Sequence, residues 1–281
     1  MMRVLLLSLV TMLGLAAQAE EAVRLGISGV VEGVSPLKVA GREISVPQGV
    51  PVISPLGPGH EIAVGDTLAV VVRPVGGQLV ASRILEVFPI VGPMRDVSDA
   101  SANVMGTQVH LPPNVKVKAG QAVAVSGFWS GGKLITTKLR RIEWQGFGQL
   151  VGAFEEAGAL QIGMTGIVGA EVPQDGFGDH IWILSGAPED AQLRVRLMAK
   201  GLFGGPVDLA LWQGYASLPI ASQTYMLHGS GVVGMARDAQ MPKPGILVTR
   251  CAQEGRVVTA APEGFETAFA ALDCLRHIPA D

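Results

Sequence analysis

The sequence predicts an all-β protein assembled from small barrel-like units in tandem, with one short helix near its C-terminal end. Three observations carry that prediction. Charged residues make up only 16% of the 281 residues, against 37 glycines and 18 prolines, a composition of many turns and few amphipathic helices. A block of sequence recurs at a fixed offset, the signature of a repeated structural unit. Helical periodicity beyond the first residues is confined to one stretch near the end.

Taken in order, the first residues read as an export signal. Arg3 gives a short positive start, Val4 to Leu15 is an apolar run, and Ala17-Gln18-Ala19 has the small-x-small pattern of a cleavage site. Cleavage is therefore expected after Ala19, with residues 1–19 as the signal peptide and a periplasmic destination. The run is shorter than the roughly 20 apolar residues of a membrane-crossing helix, so no membrane span is expected after cleavage. Without the signal the chain carries 20 basic and 24 acidic residues. That balance offers no attraction to nucleic acid or anionic lipid.

The repeat organises the rest of the chain. Val64-Gly65-Asp66-Thr67-Leu68-Ala69-Val70 matches Ala119-Gly120-Gln121-Ala122-Val123-Ala124-Val125 at an offset of 55. The same offset lays Gly77-Gln78-Leu79-Val80-Ala81 on Gly132-Lys133-Leu134-Ile135-Thr136, Ile84 on Leu139 and Val87 on Ile142. Upstream the offset is 65, with Val39-Ala40-Gly41 on Val104-Met105-Gly106 and Ile44-Ser45-Val46-Pro47 on Val109-His110-Leu111-Pro112. The first copy thus has ten extra residues between Pro47 and His60, expected as a surface loop. A third echo is Gly255-Arg256-Val257-Val258-Thr259, after Gly245-Ile246-Leu247-Val248.

Each copy reads as strands around tight turns. Leu68, Val70 and Val72 alternate with smaller residues, Val75-Gly76-Gly77 turns the chain, and Leu79 to Ile84 runs back as a β-hairpin. Ser28 to Val34 and Pro36 to Val46 add shorter strands before it. Four or five strands in about 55 to 65 residues suffice for a small OB-like barrel. The expected modules are residues 20–88, 89–145, a diverged third at 146–204, and a fourth at 205–281 that carries the helix and a disulfide.

That helix is expected over Pro262 to Arg276, where Phe265, Phe269, Leu272 and Leu275 share one face. The two cysteines, Cys251 and Cys274, are an even pair in a chain bound for an oxidising compartment, so a disulfide is expected between them.

A motif runs through Gly29 to Ile84: Gly-Val-x-Glu-x-Val, then x-Val-x-Gly-x-x-Ile-x-Val, then Val-Gly-Asp-x-Leu-x-Val, then Gly-x-Leu-x-Ala-x-x-Ile. It resembles a bacterial family of exported OB-like domains, domain of unknown function 5666. The resemblance is clear over residues 27–88 and thinner beyond. It implies tandem small barrels behind a signal peptide. Its motif positions are turn glycines and core aliphatics, so it implies no catalytic residues.

Candidate chemistry is sparse. Gly229-Ser230-Gly231-Val232-Val233-Gly234 matches a dinucleotide fingerprint but sits in a β context, and reads as a turn. Ser130 lacks the leading glycine of a nucleophile elbow. His60, His110, His180, His228 and His277 are scattered, and Asp175, Asp179 and His180 are too few and unspaced for a recognised calcium loop. No catalytic, cofactor or metal residue is assigned. Aromatics are 5% of the chain, too few for the girdles of an outer-membrane barrel. Phe128 and Trp129, at a hairpin tip, are the candidate partner contact, with packing on a neighbouring unit as the other reading. The function expected is a non-enzymatic periplasmic binding or scaffold protein contacting an envelope protein, peptide or saccharide; the alternative is an envelope hydrolase or modifying enzyme.

Overall fold

The computed structural model describes residues 23–58, 60–156, 160–171, 180–219, 223–235 and 241–277. The expected signal peptide and its cleavage site lie outside them, as do Asp175 and Asp179. The chain is nearly all β. Its first strands are β1 (Leu25–Val34), β2 (Leu37–Val39), β3 (Arg42–Ser45), β4 (Val52–Ile53), β5 (Thr67–Val75) and β6 (Gln78–Val87). Five of these close into a barrel. β1 pairs antiparallel with β2 and β5, β2 with β3, and β5 with β6, while β3 runs parallel to β6. Leu25, Ile27, Leu68, Val70, Val72 and Ile84 fill its interior.

The next group is β7 (Ile90–Arg95), β8 (Ser101–Val104), β9 (Thr107–His110), β10 (Ala122–Ser130) and β11 (Lys133–Arg141). It pairs in the same circular order, again with one parallel contact, between β9 and β11. The third group comprises β12 (Gly148–Gly152), β13 (Glu155–Glu156), β14 (Leu160–Ile162), β15 (Thr165–Val168), β16 (Trp182–Glu189) and β17 (Gln192–Lys200). The last strands are β18 (Leu209–Tyr215), β19 (Thr224–Leu227), β20 (Val232–Met235), β21 (Leu247–Gln253) and β22 (Arg256–Val257). Both later groups again bring an inner strand parallel to the last, β15 to β17 and β20 to β22.

The groups do not associate in chain order. β1 pairs parallel with β18, from Leu25 opposite Leu209 to Ser28 opposite Trp212. β7 pairs antiparallel with β12 at Ile90 opposite Leu150. The first group therefore shares a sheet with the last, and the second with the third.

This association explains the apolar density of the strands. Along β5, Leu68, Val70 and Val72 point into the barrel, while Ala69 and Val71 point outward into a cluster with Val151, Ile181, Leu202, Phe203 and Ala210. A strand covered on both faces reads as an unbroken apolar run, and Thr67 to Val72 is buried throughout. The long hairpins carry register shifts at Val71/Val72, Ser126/Gly127 and Ser185/Gly186, bulges that tighten the twist a small barrel needs. At Gly127, with φ +149°, a side chain would collide with the Ile135 carbonyl.

Two expectations need correction. The extra segment after Pro47 is more than a loop: β4 pairs parallel with β6, and Leu56 packs with Phe88, which follows β6, and with Val91, Ala124 and Ile142 of the second group. It straps one barrel to the next. The helix is shorter than the apolar spacing implies: α1 spans Glu266–Ala271, and a 3-10 turn covers Cys274–His277. Asp273, at φ +56°, breaks the helical path, so Leu275 is 69% exposed instead of joining Phe269 and Leu272 in the barrel core. Cys251 and Cys274 are disulfide-bonded, which fixes this segment to β21.

Asp66 governs the joint between the first two groups. It is fully buried and accepts from Ala63 N at 2.8 Å and Arg140 Nη2 at 2.6 Å, with Lys138 Nζ 3.0 Å from its other oxygen. Arg140 also reaches Glu86 at 3.1 Å, and Ser54 Oγ donates to Glu86 at 2.6 Å. Two carboxylates from one barrel thus meet two cations from the other. Removing one partner leaves buried charge uncompensated, so Asp66→Ala is expected to cost about 3 kcal/mol in urea unfolding, the low end for buried pairs because both cations are partly exposed.

Candidate functional site

Of the two readings of Phe128 and Trp129 at the β10–β11 hairpin tip, the geometry fits packing on neighbouring units. Phe128 is 8% and Trp129 4% exposed. Trp129 Nε1 donates to the Val151 carbonyl at 2.8 Å, and its ring lies against Gly163 in the β14–β15 turn and Gly229 in the β19–β20 turn. Gly229 adopts φ +68°, and a methyl group there would overlap the indole. Phe128 meets Tyr215 edge-on, with ring centroids 6.3 Å apart. The pair packs where the second, third and fourth groups converge, because the β7–β12 pairing carries the third group over the hairpin. Trp129→Ala should therefore destabilise by roughly 3–5 kcal/mol as a core truncation. Trp129→Phe, which keeps most packing and loses the Nε1 bond, should cost about 1 kcal/mol. Urea midpoints of both variants check this.

The remaining candidates fall apart as chemistry. Gly229 to Gly231 form the β19–β20 turn, and Val232–Met235 is strand, so the glycines do not open directly onto a helix. Ser230 Oγ is spent on the Leu227 carbonyl at 2.7 Å. Among the described residues no group of three or more His, Cys, Asp or Glu side chains gathers at metal-binding distance.

His228 sits half-buried beside that turn, with a buried Nδ1 that has no hydrogen-bond partner among the described residues. Desolvation holds its pKa below the ordinary 6.5. The folded state then binds fewer protons than the unfolded chain, so its contribution is full above pH 6.5 and is lost as the pH falls through the lowered folded value. Melting temperatures measured from pH 7 down to pH 5 should fall, with a shallower slope in His228→Gln.

A polar groove lies on the first barrel. It runs over β2 and β3 of the first barrel and is lined by Pro36, Lys38, Glu43, Ser45, Gln78 and Arg276, with a volume of about 640 Å³. A second stretch of about 270 Å³ continues from it past Arg42, Gln213, Thr249 and Asp273. Lys38, Gly41, Arg42 and Arg276 belong to both. Three pieces of chain build it. β2 and β3 supply Lys38, Arg42 and Glu43, the β5–β6 turn supplies Gly77, and the 3-10 turn after Cys274 supplies Arg276.

Lys38 pairs with Glu32 at 3.1 Å. Arg42 pairs with Asp273 at 3.2 Å and donates to the Ala271 carbonyl at 2.8 Å, which moors the C-terminal segment beside the groove. Glu43 and Arg276 have no hydrogen-bond or ion-pair partner for their side chains among the described residues.

The corresponding face of the second group is closed. There the Met105–Gly106 turn meets Ala191 of the β16–β17 turn, Gly132 of the β10–β11 turn meets Met164, and Thr107 and Thr165 share a hydrogen bond of 2.9 Å. Arg95 and Asp190 pair at 2.7 Å across the same contact. In the first barrel nothing approaches Gly41, Gly76 or Gly77 in this way.

Sequence reasoning missed the groove, although a signal was present. At the offset of 65, Lys38, Arg42 and Glu43 fall on Asn103, Thr107 and Gln108, so the open face is charged where the closed one is neutral.

Fold and groove define a nearly all-β protein with a closed five-stranded barrel that carries an open, charged face. The chain matches no family model, no curated protein and no solved structure. Among the described residues no helix is long and apolar enough to cross a membrane.

Proposed function

We propose that the protein is an exported, non-enzymatic binding or scaffold protein of the periplasm, made of four tandem OB-like modules. The first module presents its β2–β3 face to an envelope protein, a peptide or a saccharide, and no cofactor takes part. The observation that carries the reading is the contrast between corresponding faces: that of the first barrel is open and charged, while that of the second group is shut against the third. OB-type barrels take extended ligands across this face and its flanking turns. Fold alone does not fix function, so the charged lining is the stronger argument.

The tandem reading is supported by the recurrent parallel contact with the last strand of each group, and by turns of matching backbone at Ala40–Gly41 and Met105–Gly106. The export reading is supported by the Arg3-to-Ala19 pattern, by the resemblance of Gly29 to Ile84 to an exported family, and by a disulfide of the kind that persists in oxidising compartments.

A photo-crosslinker placed at Gln78 or Ser45 in living cells tests the reading. Adducts should form from these groove positions and not from Leu197, an exposed control on the third group. Equal yields at all three positions would overturn it.

A further inference from the structure

We infer that the groove takes an extended peptide segment bearing both an acidic and a basic side chain, and not a saccharide. This rests on the reading of the groove as the ligand surface. Its lining carries the argument. Among the described residues no aromatic side chain lines either stretch, and flat apolar surface is what sugar rings and unpaired bases stack on. The charges of the lining balance, Lys38, Arg42 and Arg276 against Glu32, Glu43 and Asp273, so a polyanion gains no net attraction.

Four of those six charges are matched inside the protein, through Lys38–Glu32 and Arg42–Asp273. Among the described residues Arg276 and Glu43 are left over, one of each sign, along the same groove. A ligand that satisfies both must present an anion and a cation from one backbone. An extended peptide does so, because its side chains project at regular spacing along the strand. Ser45 and Gln78, with hydroxyl and carboxamide, supply donors and acceptors for its peptide groups.

The full chain is titrated with fluorescent decapeptides of Gly and Ser that differ only in charge: neutral, acidic, basic, or one Asp and one Lys together. Neutral and acidic oligosaccharides are titrated alongside. The mixed-charge peptide should bind best, and its affinity should fall with added salt. Arg276→Glu should weaken it about tenfold, Arg276→Lys should restore most of that loss, and Glu43→Gln should selectively reduce the contribution of the peptide lysine. Both positions are exposed, so unchanged melting temperatures separate these effects from misfolding.

Saccharide binding that the groove substitutions abolish, with no peptide bound, would overturn the peptide class and leave the groove as the ligand surface. No binding by any probe, together with no adduct from the crosslinkers at Gln78 and Ser45, would overturn both.

Discussion

The constraint on which the structure depends is that its most apolar barrel strands, β5 and β10, must be covered on two sides. A unit of about 60 residues buries too small a fraction of its surface to be comfortably stable alone. β5 shows the remedy: its inward residues fill the barrel, and Ala69 and Val71 on its outer side fill a cluster shared with other parts of the chain. Once outer faces are apolar they must find partners, and the pairing of β1 with β18 and of β7 with β12 is the result. So are the aromatic wedges, Trp129 against Gly229 and Phe203 against Trp212, which fill the seams where units meet. The Asp66 joint is the polar counterpart of these seams. It joins the first two groups where the charges of each are matched by the other.

Local structure was legible because its causes are local. The hairpin turns at Gly76–Gly77 and Gly131–Gly132, the alternation along β5, and the cysteine pair each rest on backbone geometry or redox chemistry that a short window contains. The C-terminal helix was legible in place but not in length, since Asp273 turns away to meet Arg42, more than two hundred residues earlier. Trp129 stayed open between partner contact and packing for a similar reason. Nothing near it in sequence says that the third and fourth groups will close over its hairpin.

The most informative positions were those where the copies disagree. At the offset of 55, Asp66 falls on Gln121 and Leu85 on Arg140, and both charged members lie in the joint. At the offset of 65, the charged trio of the groove falls on neutral residues that sit in a closed interface. Shared positions build the barrel. Divergent ones decide what each barrel touches within the chain. That is why a repeat read for its matches yields architecture, while its mismatches point to surfaces with a task.

The C-terminal segment also changes the order in which the molecule can be completed. Ala268, Phe269, Leu272 and Cys274 belong to the core of the first barrel, together with Leu209 and Leu211 from β18. In a chain made from its N-terminal end, the strands of the first barrel are therefore present long before the residues that finish that barrel's interior. Such distant contacts make for slow folding. The groove over β2 and β3, which Arg276 helps to line, is complete only when the 3-10 turn of residues 274–277 has docked on the first barrel.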